Sequence, residues 1–304
     1  MAPSPFHPEL RRAATLLPRH VVGPRSLPAV RSVVGLAARR QPAGVTLDRA
    51  GDVPLRVHRP PGASVNAPGP GVLWIHGGGF VMGAAAQDDD GCADLARRLG
   101  AVVVAVDYRL APEHPHPGPL EDCHDALEWL AAQPDVDASR VAIAGASAGG
   151  GLAAGLAIMA VERGVVPPAF QLLLYPMLDD RSVGLPVEFD ERDVRLWDRA
   201  SNRFGWTSYL GVEPGSPDVP ATAAPARCDD LSRLPPAWIG VGTLDLFHRE
   251  DVAYADRLRS AGVDCELVVV PGGFHAFDMV QRAAVVRDFR ASQVDALRRA
   301  LVPG

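Results

Sequence analysis

Lysine is absent from this 304-residue chain: the 30 basic residues are all arginines, set against 36 Asp and Glu for a formal charge of −6. A phosphate-cradling loop ends in Lys-Ser/Thr, so nucleotide binding loses its best candidate. The arginines gather in nothing larger than short stretches such as Arg11-Arg12 and Arg39-Arg40, which leaves no basic footprint for a nucleic acid. Cysteine is scarce too. Cys92, Cys123, Cys228 and Cys265 are scattered, with neither Cys-x-x-Cys spacing nor a dense disulfide pattern, and they read as reduced thiols of an intracellular protein. No apolar run reaches the roughly eighteen residues of a membrane span. Met1 to Leu10 lacks a charged start followed by an apolar stretch, which argues against secretion. The expectation is a cytoplasmic protein with neither membrane nor nucleic acid as partner; as an assembly, a homodimer stays open.

What is present is ordinary for a globular chain, 47% apolar and 22% charged. A chain of this length buries about three quarters of its extended surface, enough for one large core or a core with a cap. Residues 1 to about 44 mix short apolar patches with Arg and Pro and read as one or two helices across Pro8 to Ala38. Val45-Thr-Leu-Asp48 and Val53-Pro-Leu-Arg-Val-His58 alternate like edge strands, an antiparallel start to a sheet.

From Val72 onward, apolar strands alternate with helical patterns. Val72-Ile75, Ala101-Val106, Val141-Ala144, Phe170-Tyr175, Pro236-Gly242 and Cys265-Val270 are the strands. Helices fall around Asp90 to Leu99, Leu120 to Ala131, after Ser147, Glu250 to Ser260 and Val280 to Arg299. Val102-Val-Val-Ala-Val106 is a continuous apolar run, the pattern of a parallel strand covered on both faces, so the fold class is α/β. The stretch between Leu178 and Leu234 is much too long for an ordinary connection and holds Trp197, Phe204, Trp206 and Tyr209. Placed at the C-terminal ends of strands, where open α/β sheets bind ligands, it becomes a lid.

The chemistry starts at Gly145-Ala146-Ser147-Ala148-Gly149, which follows the strand Val141-Ala144 and opens into a small-residue helix. A serine hydroxyl is a poor nucleophile at its free pKa. A strained strand-to-helix elbow lifts Oγ above the sheet while the helix aims its first N–H groups at the same point. Gly-x-Ser-x-Gly alone is a weak pattern and also describes a plain tight connection. Support comes from Gly71-Ile75, a short strand running into His76-Gly77-Gly78-Gly79-Phe80. Consecutive glycines are costly in backbone entropy and are best tolerated where backbone must approach something closely, as a tetrahedral oxyanion requires.

Together, His76-Gly-Gly-Gly-Phe80, Asp107-Tyr-Arg-Leu-Ala-Pro-Glu-His114, Gly145-Ala-Ser-Ala-Gly-Gly150, Tyr175-Pro-Met-Leu-Asp179 and Gly272-Gly-Phe-His-Ala-Phe277 resemble the hormone-sensitive-lipase family of α/β-hydrolases, bacterial family IV. The resemblance runs from about the fourth decade of residues to the C-terminus, with the motifs in the family's order. It implies an α/β-hydrolase fold, with a mostly parallel central sheet, helices on both faces and a helical cap. It also implies residues 1–44 as the N-terminal part of that cap, 45–304 as the catalytic domain, and about 180–234 as the cap insertion. One departure is that Ala146 stands where the family commonly has Asp, a residue that is not the triad acid.

Ser147 needs a base, and His275 is chosen among nine histidines because it follows Leu267-Val-Val-Val270 in a Pro271-Gly-Gly273 turn at the sheet's edge. His76 suits a structural role in the glycine loop. Asp245 follows the strand Trp238-Ile-Gly-Val241 and completes the order Ser, Asp, His. Glu250 and Asp251 compete for that role but read as a solvated helix start, and Asp107 precedes the nucleophile. As oxyanion donors, Gly78 and Gly79 are implied by the resemblance, and Ala148 by its place directly after the nucleophile. Phe80, Trp206, Leu246 and Phe277 are the candidates to line the substrate pocket. Neither cofactor nor metal is called for, since Asp88-Asp-Asp90 and Asp179-Asp180 lack accompanying ligands and read as solvated. The expected function is serine-dependent hydrolysis of small to medium acyl esters through an acyl-enzyme. Amide, carbamate or lactone hydrolysis on the same triad, and a non-catalytic small-ligand receptor, are the alternatives.

Overall fold

The computed structural model describes residues 4–39, 41–164 and 166–302; Met1 to Pro3, and Arg40 of the Arg39-Arg40 pair, lie outside them. Eight strands form one sheet in the order β1-β2-β4-β3-β5-β6-β7-β8. β1 (Val45–Ala50) and β2 (Val53–His58) make the antiparallel edge, and β2 pairs antiparallel with β4 (Val102–Val106). β3 (Gly69–Ile75), β4, β5 (Val136–Ala146), β6 (Phe170–Leu174), β7 (Ala237–Leu244) and β8 (Cys265–Phe274) run parallel. β4 and β6 are buried at every residue, the requirement of parallel strands with helices on both faces.

Two apolar cores lie on the two sides of the sheet. α4 (Gly118–Ala131), α5 (Ala148–Arg163) and α7 (His248–Ser260) contribute to one; α3 (Asp89–Leu99) and α8 (Ala284–Leu301) contribute to the other. α5 is buried from Ala148 to Ala160, and its glycines and alanines let it press against the strands. A side chain at Gly149 would stand 2.1 Å from the Ile75 carbonyl oxygen, so the motif's second glycine is a close-approach requirement.

The chain outside this sandwich forms α1 (Arg11–Leu16), α2 (Leu27–Ala38) and, within the long insertion, α6 (Arg199–Leu210) among short 3-10 turns. The insertion is not uniform. Val219, Ala223, Ala224, Leu231 and Leu234 join the core that α5 and α7 share, so its second half walls the sandwich. The N-terminal segment is also divided. Phe6, Leu10 and Ala14 pack into the core beneath β8 and α8, whereas Leu16 and Leu36 are exposed.

Two sequence readings need correction here. β8 continues through Pro271-Gly-Gly273 to Phe274, with an irregularity in its pairing to β7, so those residues extend the strand and do not turn it. The acidic clusters are not simply solvated either. Asp89 is buried in a pair with Arg56 (Nε to Oδ1 2.8 Å), and Asp180, fully buried, accepts from Arg227 at 2.7 and 2.8 Å.

Candidate active site

β5 ends at Ala146 and α5 begins at Ala148, leaving Ser147 alone at the bend with φ 57° and ψ −121°. A non-glycine residue at positive φ stores strain, and here the surroundings hold it. Its N–H donates to Leu174 O at 2.8 Å on β6, while its carbonyl accepts from Gly151 and Met177 N–H, both at 3.0 Å. The elbow is thus pinned to the adjacent strand and to the loop that follows it.

β7 delivers Asp245 directly after Leu244, and β8 delivers His275 directly after Phe274. His275 Nδ1 lies 2.8 Å from Asp245 Oδ2, and its Nε2 lies 3.0 Å from Ser147 Oγ. A carboxylate only accepts, so Nδ1 carries the proton and Nε2 is left to accept from the serine hydroxyl. The other carboxylate oxygen, Asp245 Oδ1, accepts from Phe247 N–H at 3.0 Å. Tyr175 and Phe247 meet the imidazole edge to face at 5.0 and 5.3 Å between centroids, which fixes its plane. All three members are at least nine-tenths buried.

The glycine loop crosses above the same serine. A side chain at Gly77 would come within 2.9 Å of Ala146 O, and Gly78 and Gly79 adopt φ of 130° and 59°. At Gly79 a side chain would collide with the Trp197 ring, so this position needs glycine for both backbone and space. Among the described residues neither Gly78 N–H nor Gly79 N–H finds an acceptor, and Ala148, first in α5, has none within its helix. His76 holds the loop from behind. It is buried, stacks on Tyr108 at 4.2 Å, and places Nδ1 2.8 Å from Gly77 O, while Tyr108 OH donates to His76 O at 2.9 Å. Burial pushes the His76 pKa down, in keeping with a neutral structural ring.

A cavity of about 470 Å³ opens over Ser147, with His275 and Gly77 to Gly79 in its wall. Val21 and Val34 reach it from the N-terminal segment, and Leu196 and Trp197 from the insertion. The pocket expectations are corrected in part. Phe80 and Trp206 are fully buried around Tyr209, and Phe277 packs on Phe289 at 4.8 Å; none of the three lines this cavity. Leu246 lines a smaller one of about 230 Å³ that includes Asp245 and Val183. Trp197 is the pocket residue that sequence reasoning passed over, although it stood among the insertion's aromatics. The four apolar side chains that roof the cavity come from two distant stretches, so no local pattern marks them.

The rival acids stand elsewhere. Asp107 accepts from Ala85 N–H at 3.0 Å. Glu250 and Asp251, read as a solvated helix start, are both buried: Glu250 Oε1 accepts from Leu178 N–H (2.8 Å) and Asp179 N–H (3.2 Å). Burial pushes the Glu250 carboxyl up to about 8 and raises Asp251 as well. Among the described residues, one set with metal-ligand proximity is found, His124, Asp125 and Glu128 on α4, and it shares no residue with the site over Ser147.

Residues 72–279 match the family described as alpha/beta hydrolase fold. The esterase LipI of Mycobacterium tuberculosis is 42% identical over 224 residues, 72% of this chain and 68% of that protein. The carboxylesterase NlhH of the same species is 38% identical over 267 residues, 84% of this chain and 81% of the relative. A solved structure titled bacterial heroin esterase superposes with a TM-score of 0.87 at 40% identity, covering 98% of this chain and 99% of the other.

Proposed function

The chain belongs to the alpha/beta-hydrolase fold family and is a serine-dependent carboxylic ester hydrolase; from that premise we propose that Ser147, His275 and Asp245 carry the reaction. The observation behind this reading is the unbroken relay from Asp245 Oδ2 through His275 to Ser147 Oγ, at 2.8 and 3.0 Å. Oγ attacks the acyl carbonyl as Nε2 takes its proton. The carbonyl oxygen, now anionic, is met by the N–H groups of Gly78, Gly79 and Ala148, which need no reorganisation because the loop and helix already hold them. Asp245 stabilises the imidazolium, and His275 then gives its proton to the departing alkoxide. Water, deprotonated by the same imidazole, releases the acid from the acyl-enzyme and restores Ser147.

The finer assignment is to the hormone-sensitive-lipase-like branch, supported by the five motifs and their order. In this reading the cap is drawn from residues 1–44 and 180–234, supported by Val21, Val34, Leu196 and Trp197 meeting over one cavity, while Phe6 to Ala14 and Val219 to Leu234 also pack with the sandwich. A cavity of about 470 Å³ suits small to medium acyl chains. The protein acts in the cytoplasm on this proposal; no helix among the described residues is long and apolar enough to cross a membrane. Hydrolysis of p-nitrophenyl esters from acetate to palmitate tests the reading. Highest kcat/KM is expected between acetate and octanoate; silence on every short and medium ester defeats the reaction assignment, and a palmitate optimum defeats the chain-length assignment.

A further inference from the structure

The cavity over Ser147 does not end at the triad. A second space of about 390 Å³, reaching toward α3 and α8, shares Asp88, Ala146, Tyr175, Asp278, Gln281 and Arg290 with it, so the two are lobes of one cleft. Ala146, immediately before Ser147, is the smallest side chain that lines both.

The inner lobe is built for a polar group. Trp74 Nε1 donates to Asp88 Oδ2 at 2.8 Å, but Asp88 Oδ1 receives no hydrogen bond from the described residues, and Asp88 takes part in no ion pair among them. The neighbouring guanidiniums are already engaged. Arg290 donates to the Asp278 carbonyl at 3.1 Å and stands 3.6 Å from its carboxylate, and Arg98 stands 3.5 Å from Asp94. Asp278 is further satisfied by Tyr175 OH at 2.8 Å. Independently, Gln293 on α8 lines the lobe while only 6% exposed, and its Nε2 has no partner. The Asp88 carboxylate offers an acceptor for a cationic group, while the buried Gln293 amide is a donor that calls for an oxygen of the same ligand, such as an ester oxygen. Asp88, Asp90, Asp94 and Asp278 outnumber Arg98 and Arg290, so the lobe is net negative, which favours a cation.

We propose that this lobe binds a protonated amine of the substrate through Asp88, so that the enzyme prefers esters bearing a cationic nitrogen over neutral esters of the same shape. The proposal rests on the catalytic reading above and names its substrate class. It carries a pH signature. Burial first, with the Asp278 and Asp89 charges adding to it and the Trp74 N–H and Arg290 opposing it, pushes the Asp88 carboxyl up to about 6. The preference therefore grows as pH rises through about 6 and fades below it.

The test compares isosteric pairs, 2-(dimethylamino)ethyl butyrate with 3-methylbutyl butyrate, and ethyl 4-(dimethylamino)butyrate with ethyl 5-methylhexanoate. These place the cation on the alcohol or the acyl side. At pH 7.5 at least one cationic member is expected to have a KM about 10- to 100-fold below that of its neutral partner, the span of one charge-assisted hydrogen bond. Asp88→Asn keeps an acceptor for Trp74. It should bring the pair to within about threefold of each other by raising the KM of the cationic member. As a second measurement, N,N-dimethylethylamine should compete with the neutral ester in the parent enzyme, weakly at pH 5 and weakly in Asp88→Asn at any pH. Equal KM values within both pairs, or a preference that survives Asp88→Asn, overturns the proposal. Failure to hydrolyse the neutral esters as well strikes the ester-hydrolase reading instead.

Discussion

Glu250 offers a prediction in which burial, hydrogen bonding and a proton equilibrium all bear on one side chain. It stands in the first turn of α7, 7% exposed, and its Oε1 ties the Leu178 and Asp179 N–H groups to the helix that starts just beyond Asp245. Desolvation dominates, pushing the carboxyl from 4.5 to about 8 against the opposing hydrogen bonds of Ser182, Leu178 and Asp179. A carboxyl raised in this way holds its proton more tightly in the folded chain than in the unfolded one. Its contribution is therefore fully present below about 4.5 and is lost as pH rises through about 8. Each unit of displacement is worth about 1.4 kcal/mol, so the whole window amounts to a few kcal/mol. Glu250→Gln retains the Oε1 acceptor and cannot ionise. Melting followed by circular dichroism from pH 5 to 9 should show parent and variant together near pH 5. The variant should then pull ahead by roughly 5–10 °C near pH 9, since about 1 kcal/mol moves Tm by about 2–4 °C for chains somewhat shorter than this one. A difference between the two that stays flat across the range would refute the reasoning, because a carboxyl that ionises at no cost is not buried as the fold places it.

Two further outcomes follow from the site and its supports. Ser147→Ala should abolish covalent turnover with circular dichroism unchanged. Asp245→Asn should lower kcat by about 10⁴, the handicap of the wrong histidine tautomer in serine proteases; near-normal rates for either would move the assignment elsewhere. A chain beginning at Gln41 should lose short-ester kcat/KM and also melt well below the parent, because the removed segment holds both cavity-lining valines and buried core; unchanged kinetics and melting would show a loose arm.

Much of the candidate site was legible because each of its requirements is local. An apolar run, a glycine-flanked serine and a small-residue helix are contiguous in sequence, so the Ser147 elbow could be read at sight. Asp245 and His275 each follow an apolar strand within a few residues. In a parallel sheet all strands end on the same side, which brings residues 128 positions apart to hydrogen-bond distance across β6 and β7. The edge hairpin was equally plain from the alternation of Val53 to His58. The substrate lobes were not legible. Phe80 and Trp206 are large, apolar and close in sequence to functional motifs, yet they are spent on packing around Tyr209.

The acids show the same limit from the other side. Asp89, Asp180, Glu250 and Asp251 look like surface residues because charge is normally solvated, and what buries them arrives from far away: Arg56 on β2 for Asp89, Arg227 in the insertion for Asp180, the loop after β6 for Glu250. The N-terminal segment combines both kinds of distance. Phe6 meets Phe274 edge to face at 6.2 Å, and His7 N–H donates to Gly272 O at 3.0 Å, so these residues brace the strand end that carries His275. Farther along, Leu196 N–H donates to Pro18 O at 2.8 Å and Arg31 reaches Val81 O at 2.7 Å, joining the segment to the insertion and to the glycine loop. A segment read from sequence as one or two helices thus touches the strand that ends beside His275, the cavity roof and the glycine loop. Where those helices dock is set by these distant partners, which is why the sequence shows the helices and not their placement.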